Sequence, residues 1–244
     1  MKNVLITGAM TDIGKATAKV FLEEGFTTIL ADNNENKELE EALKEKYKDK
    51  VYFYLGDMSK NDTIMLLFDY VLDKTQGIEI LINCTSAIED NFLHQFEEKN
   101  LDTIFNQTVK PIFLTSKFFL PDIIKKGGGI VVNVTPPATT AIDYKRPAYN
   151  AAKGAVINLT RSMSLDYAEF NIRVNSVSPG ILNTSLIEED LRIFNEIKTM
   201  HNIPKADDIA NAIYFLSTDK SHAINGINIP VTGGIEALNC VAKR

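Results

Sequence analysis

A chain of 244 residues, 45% hydrophobic and 24% charged, is long enough to bury a sizeable core as one large α/β domain or as two small ones. A formal charge of -6 and the lack of any lysine or arginine stripe argue against nonspecific nucleic-acid binding. No apolar run reaches the roughly 18 residues that span a bilayer, and Met1 leads straight into Val4-Leu5-Ile6, so neither a membrane segment nor a secretory leader is expected.

In chain order, residues 3–6 read as a short buried strand that ends in Thr7-Gly8-Ala9-Met10-Thr11-Asp12-Ile13-Gly14. Ile13, Thr17, Val20 and Phe21 then recur at helical spacing until Gly25 closes the helix. Thr27 to Ala31 forms the second strand and ends on Asp32. A charged helix from about Asn36 to Lys48 precedes the strand Val51–Leu55, which ends in Gly56-Asp57. Ile64, Leu67, Phe68, Val71 and Leu72 mark one face of the next helix, and Ile78–Ile82 is the fourth strand.

Between Leu101 and Lys126, Pro111 and Pro121 are expected to start or bend helical pieces. Gly127-Gly128-Gly129 stops that segment before the strand Ile130–Val134. A Pro- and Thr-rich loop leads to a helix from Tyr149 to about Phe170, then to the strand Ile172–Val177 and to Pro179-Gly180. A short helix is expected at Ile187–Ile197, within a lid at 183–203. Asp207 or Asp208 caps a helix to Leu216, and Gly226–Pro230 is the last strand. Seven short strands alternating with helices, with no internal linker, predict one α/β domain over residues 1–244: Rossmann-type, doubly wound, with a mainly parallel seven-stranded sheet and helices on both faces.

Three placements carry chemistry. Gly8 and Gly14, between first strand and first helix, let backbone amides approach a pyrophosphate at a helix N-terminus. Asp32 ends the second strand, where a carboxylate accepts both adenosine ribose hydroxyls and repels a 2′-phosphate; the plainer reading makes it a strand-end turn residue. Asp57, ending the third strand in the same plane, is positioned for the adenine amino group. Tyr149 and Lys153 lie four residues apart on one helix face. Free tyrosine is a poor base with a pKa of ~10, but a neighbouring ammonium favours the phenolate, so the pair can move a proton near neutral pH.

These residues in this order give the whole chain a resemblance to the short-chain dehydrogenase/reductases, in particular to those similar to the 3-oxoacyl-acyl-carrier-protein reductases. Thr7 to Gly14 resembles the family's Thr-Gly-x-x-x-Gly-x-Gly turn, and Asp32 and Asp57 match its acidic strand ends. Asn106, in Asn-Gln-Thr-Val-Lys-Pro-Ile-Phe, matches its active-site asparagine. Tyr149 and Lys153 match its Tyr-x-x-x-Lys pair, and Pro179-Gly180 with Thr184 resembles its nicotinamide-side segment. Val231-Thr232-Gly233-Gly234 resembles its C-terminal turn.

The resemblance implies an NAD-dependent oxidoreductase that interconverts a hydroxyl and a carbonyl on a small-molecule substrate. It implies Tyr149 as acid/base, Lys153 as electrostatic partner and cofactor anchor, and Asn106 as support for a water-linked proton path. The cofactor contacts it implies are Gly8, Asp12, Ile13, Gly14, Asp32, Asp57, Met58, Asn83, Tyr149, Lys153, Pro179, Gly180 and Thr184. Plainer readings make Asn106 a cap or helix bridge and put Lys153 on an exposed face.

Three positions depart from the pattern. Asp12 stands where the middle glycine is usual; an aspartate can cap the new helix, while its charge is unfavourable beside a pyrophosphate. Asn83-Cys84-Thr85-Ser86 replaces Asn-Asn-Ala-Gly, and Cys84 reads as a buried structural thiol. Pro136 occupies the usual serine position and has no donor to polarise a carbonyl. Thr135 carries a hydroxyl one residue early, which on a regular strand faces the other way; Thr135, redirected, or Thr139 or Thr140 from the loop could stand in.

Two function classes therefore stand: an NAD-dependent oxidoreductase, and a non-catalytic dinucleotide-binding or subunit protein on the same fold. Pro137, Ala138, Ile142, Tyr144, Leu182, Leu186 and Phe194 are candidate walls of an apolar to mixed substrate pocket. Cys84 and Cys240 make no disulfide framework and three scattered histidines make no metal site, so a cytoplasmic protein without metal is expected. A homotetramer is expected from the family, with residues 101–126 and 150–170 pairing across two-fold axes through Phe105, Ile112, Phe118, Phe119, Val156 and Tyr167.

Overall fold

The structure is a computed structural model that describes residues 2–85, 87, 89–135, 145–180 and 204–234. Seven strands form one parallel sheet: β1 (Asn3–Thr7), β2 (Thr27–Asp32), β3 (Val51–Leu55), β4 (Ile80–Asn83), β5 (Gly129–Val134), β6 (Ile172–Pro179) and β7 (Asn228–Val231). Their spatial order is β3-β2-β1-β4-β5-β6-β7. Six α-helices lie among the described residues: α1 (Asp12–Glu23), α2 (Lys37–Tyr47), α3 (Asn61–Thr75), α4 (Glu98–Lys125), α5 (Pro147–Asp166) and α6 (Ala206–Leu216). The chain winds outward from β1 to β3, then returns to the other side of β1 with β4. That reversal opens a crevice above the C-terminal ends of β1 and β4, where ligands of open α/β sheets bind.

The strands are largely apolar because both sheet faces are covered, with β6 the most polar of them. Val4 and Ile6 of β1, Ile80 and Ile82 of β4, and Val132 and Val134 of β5 pack with Phe21 of α1 and Ile209 and Ile213 of α6. The alternate residues Leu5, Leu81 and Val131 pack on the other face with Ile64 and Leu67 of α3, Phe119 of α4 and Met163 of α5. The period of two thus sorts each strand between two cores.

Local chemistry sets the helix ends. Thr11, in extended conformation, is the N-cap of α1, and its Oγ1 accepts Gly14 N at 3.0 Å. The capping role weighed for Asp12 therefore belongs to its neighbour, and Asp12 is the first helical residue. Neither proline starts a helix: α4 runs unbroken for 28 residues with Pro111 and Pro121 inside it. An interior proline costs ~3 kcal/mol, which burial of Ile104, Ile112, Leu114, Phe119, Leu120 and Ile123 along one face offsets. At α6 the N-cap is Lys205, and Asp208 contributes by accepting Lys205 N at 2.8 Å.

The aromatic and aliphatic face expected to join copies of the chain is used within the protomer. Ile112, Phe119 and Val156 are fully buried, and Phe105, Phe118 and Tyr167 pack partly against the two-helix and sheet cores. The apolar side chains that α4 and α5 leave outside are Leu101, Phe113 and Leu165.

One polar line crosses these apolar layers. Thr7, Asn83 and Asn133 are aligned neighbours in β1, β4 and β5. Asn83 Oδ1 accepts Thr7 Oγ1 at 3.2 Å and Thr115 Oγ1 of α4 at 2.8 Å. Asn83 Nδ2 donates to Asn133 Oδ1 at 2.9 Å, and Asn133 Nδ2 donates to Thr160 Oγ1 of α5 at 2.9 Å. The line ties the two site-bearing helices to the sheet beneath them. Replacing Asn83 by alanine leaves buried donors and an acceptor unpaired and is expected to lower unfolding free energy by about 3 kcal/mol. Urea unfolding at fixed protein concentration should show this as a lower midpoint with unchanged slope.

Candidate active site

At the C-terminal end of β1 the chain turns through Gly8, with φ +66°. A Cβ on Gly8 would lie 2.7 Å from the Cys84 carbonyl, and one on Gly14 would lie 2.2 Å from Gly8 O. Both positions thus require glycine, because turn, helix and β4 converge on one another. Thr11 O accepts Lys15 N and Thr11 Oγ1 accepts Gly14 N. The first two helical amides, those of Asp12 and Ile13, have no acceptor among the described residues. Such orphan amides at a helix start suit a diphosphate.

The crevice beside this turn has a volume of about 220 Å³ and is lined by Gly8, Thr11, Asp32, Asn33, Asn34, Asp57, Met58, Ser59, Thr85, Asn106, Gln107 and Pro111. It contains no lysine or arginine. Asp12 is absent from it and instead lines a separate hollow between α1, α2 and the start of α6, with Lys15, Lys19 and Asp207.

Asp32 is buried. Its Oδ2 accepts Met10 N at 2.8 Å, and its Oδ1 accepts Asn34 N at 2.9 Å, so it braces the glycine turn against the loop after β2. A carboxylate has about four acceptor sites, which leaves capacity for ribose hydroxyls. Asp57 accepts Ser59 N at 2.9 Å. Desolvation pushes the Asp57 carboxyl upward, but hydrogen bonds from Ser59 and the charges of Lys60 and Lys110 outweigh it and hold it below its ordinary value. Met58 is buried between these acidic strand ends.

Tyr149 and Lys153 share the inward face of α5, 1% and 4% exposed, which removes the exposed-lysine reading. Lys153 Nζ lies 5.4 Å from the Tyr149 ring centre, and the Arg146 guanidinium carbon lies 6.0 Å from it. Ala148 and Ala152, next to the pair, pack with Ile104 and half-buried Phe105 of α4. Small residues there bring α4 close, and Asn106, one residue beyond Phe105, reaches the crevice wall.

The segment after β4 is strapped to the start of α5. Arg146 Nη2 donates to Asp90 Oδ2 at 3.3 Å while its Nε donates to Oδ1. The Arg146 hydrogen bond holds the Asp90 carboxyl below its ordinary value. Asn91 N donates to Lys145 O at 2.6 Å, and Lys145 Nζ sits 4.7 Å over the Phe92 ring.

Other expected positions are placed as follows. Thr135 is buried at the end of β5, and its Oγ1 lies 2.5 Å from Ser178 Oγ and 3.5 Å from Val177 O, facing β6. The Asn83 side chain is engaged in the tie across the sheet. Pro179 ends β6, and Gly180 N donates to Val231 O at 2.8 Å; a Cβ there would lie 2.8 Å from Thr232 Cα. Cys84 is a buried thiol pushed up to about 12 by burial and then by Asp32, so it stays protonated and inert. Pro136, Thr139, Thr140, Thr184, the lid at 183–203 and the seven candidate pocket walls lie outside the described residues. Among the described residues no group of histidine, cysteine or carboxylate side chains could hold a metal, and no helix is long and apolar enough to cross a membrane.

The short chain dehydrogenase family model matches residues 2–192. The chain belongs to the short-chain dehydrogenases. An oxidoreductase of Bacillus subtilis without assigned substrate is 34% identical, over 99% of this chain and 93% of its own. The 3-oxoacyl-[acyl-carrier-protein] reductase of Thermotoga maritima is 31% identical, over 96% and 97%. The meso-2,3-butanediol dehydrogenase of Serratia marcescens is 30% identical, over 97% and 95%. A crystal structure of a short-chain dehydrogenase/reductase from Burkholderia xenovorans superposes with a TM-score of 0.89 at 28% identity, covering 97% of each chain. Membership makes this chain an oxidoreductase of the short-chain type, working between hydroxyl and carbonyl with a nicotinamide dinucleotide.

Sequence reasoning missed Thr11 as cap, the Asp90–Arg146 strap, and the partners of Asn83. Only the first had a local signal, a threonine three residues before the helical Gly14 amide. The others join residues 56 and 76 apart, whose contact depends on the finished fold.

Proposed function

We propose that the protein is an NAD(H)-dependent oxidoreductase that interconverts a hydroxyl and a carbonyl on a small or medium, apolar to mixed substrate. The observation that carries this is the buried Tyr149–Lys153 pair on the helix packed beside Asn106 and its crevice. Nicotinamide dinucleotide supplies or accepts the hydride. Tyr149 gives a proton to the carbonyl oxygen in reduction and takes one from the hydroxyl in oxidation. The Lys153 ammonium, held out of water beside the ring, favours the phenolate that proton donation leaves. Asn106 keeps a water in the proton path, and the Asp12 and Ile13 amides hold the diphosphate. Relatives named for an acyl-carrier-protein thioester and for a butanediol leave the substrate class broad.

The cofactor is NAD(H) rather than NADP(H), because Asp32 stands in the crevice wall and no cation lines it to balance a 2′-phosphate. Fluorescence titration should give tighter NADH than NADPH binding in the wild type. Asp32→Ala should shrink that preference at least tenfold, and wild-type preference for NADPH would refute it.

With NADH saturating, Tyr149→Phe is expected to cut turnover of a simple ketone or keto ester by at least a hundredfold while NADH affinity changes little. Thr135 is the substitute for the missing serine in this reading, so Thr135→Val should be more damaging than Pro136→Ser is helpful. Activation by Pro136→Ser would mark an impaired site. Tight NADH binding with no turnover in any of these proteins would favour a non-catalytic dinucleotide-binding protein, the reading that Pro136 keeps open.

The protein assembles as a cytoplasmic homotetramer through the outer faces of α4 and α5. Phe113, 55% exposed, borders a groove with Lys117 and Pro121 on one wall and Ser162 and Asp166 on the other. Two-fold pairing sets Lys117 of one copy against Asp166 of the next and covers Phe113. Light scattering at micromolar concentration should give four times 27.2 kDa, and Phe113→Glu should lower it. A wild-type monomer would overturn the assembly.

A further inference from the structure

Most buried polar side chains here have partners, and the exceptions call for a cause. Among the few is Thr85 Oγ1, shielded from solvent with no hydrogen-bond partner. Thr85 follows β4 and lines the crevice with Gly8, Thr11, Asp32 and Asn106. Its own amide lies 3.0 Å from where a Cβ on Gly8 would sit, so residue 85 abuts the turn whose helix presents two orphan amides. Thr85 lines the crevice while its unpaired hydroxyl is turned out of solvent, so a rotation about χ1 would present a donor whose acceptor arrives with the ligand.

We infer that Thr85 is a further cofactor-binding residue, its hydroxyl donating to an oxygen of the diphosphate or second ribose of the dinucleotide; this rests on the dinucleotide reading above. Rotation about χ1 exchanges the Oγ1 and Cγ2 positions between staggered wells, so the hydroxyl can turn to the ligand without moving the backbone. A bond to a charged phosphate oxygen is stronger than one between neutral groups. The unmade bond of the ligand-free state is thereby converted into affinity. A methyl group at the same position fills the same space and donates nothing.

The test exploits a reversal of sign. In Thr85→Val the orphan hydroxyl is gone, so the ligand-free melting temperature should stay level or rise by about 2–4 °C. The same variant should bind NADH and ADP-ribose about five- to tenfold more weakly, with AMP unaffected, and Thr85→Ser should restore wild-type affinity. Weakening already seen with ADP locates the acceptor on the diphosphate; weakening seen first with ADP-ribose locates it on the second ribose. Val and wild-type proteins that bind NADH and ADP-ribose equally would overturn the inference, as would equal weakening for AMP, which marks a distorted pocket. If Thr85→Val fails to fold, Thr85→Ala carries the same comparison. Wild-type protein that binds neither NADH nor ADP-ribose sinks the parent dinucleotide reading, a failure distinct from that of Thr85 alone.

Discussion

Asn83 satisfies donors from two directions and acts as a donor in a third, and the site depends on that arrangement. Its carboxamide oxygen receives Thr7 from β1 and Thr115 from α4, while its amide reaches Asn133, which in turn holds Thr160 of α5. A polar group buried this deeply is costly unless fully paired, so the partners have few alternatives. Apolar packing alone would let α4 and α5 slide over the sheet with modest loss, since dispersion is nondirectional. Hydrogen bonds with fixed geometry fix the axial position of both helices. The separation of Asn106, on α4, from Tyr149 and Lys153, on α5, follows from those positions.

The same end of β4 also sets the cofactor crevice. Gly8 can approach the Cys84–Thr85 peptide only because it lacks a side chain, and Gly14 can approach Gly8 for the same reason. Asp32 then locks the turn from the other flank through the Met10 amide. One glycine-rich corner is thereby gripped by β1, β2 and β4 together, and its helix is left with outward amides. The glycine turn packs on the end of β4 and α4 is tied to it through Thr115, so both lean on the strand whose three apolar residues give way to Asn83.

Much of this was legible in order along the chain, for a physical reason. A parallel sheet covered on both faces favours short, mainly apolar strands, and a polar residue stands where several of these runs stop, at Thr7, Asp32, Asn83 and Thr135. Tyr149 and Lys153 were legible because helical spacing alone puts them on one face. Pairing between distant strand ends was not, because nothing near Thr7 reports Asn83, 76 residues on. Proline misled in α4, where a long buried face outweighs two missing amides. The apolar surface of α4 and α5 misled for a related reason: hydrophobicity names the residues that want burial, but only the crossing of the helices decides that Ile112 finds it at home and Phe113 does not.

Asp12 and Pro136 look in sequence like two injuries to one site, but the family pattern asks something different of each. At Asp12 the family pattern asks for closeness of backbone, and the close approach here is supplied by Gly8 and Gly14, while Asp12 lines another hollow. At Pro136 the pattern asks for a hydroxyl, which backbone geometry cannot replace. The neighbouring Thr135 hydroxyl already lies 2.5 Å from Ser178 and is shielded from water. Its proton or lone pair is therefore shared with β6, and any contribution to a reacting oxygen must compete with that bond. The departure at the turn is thus tolerable by construction, whereas the one at Pro136 removes a hydroxyl that no rearrangement of backbone restores.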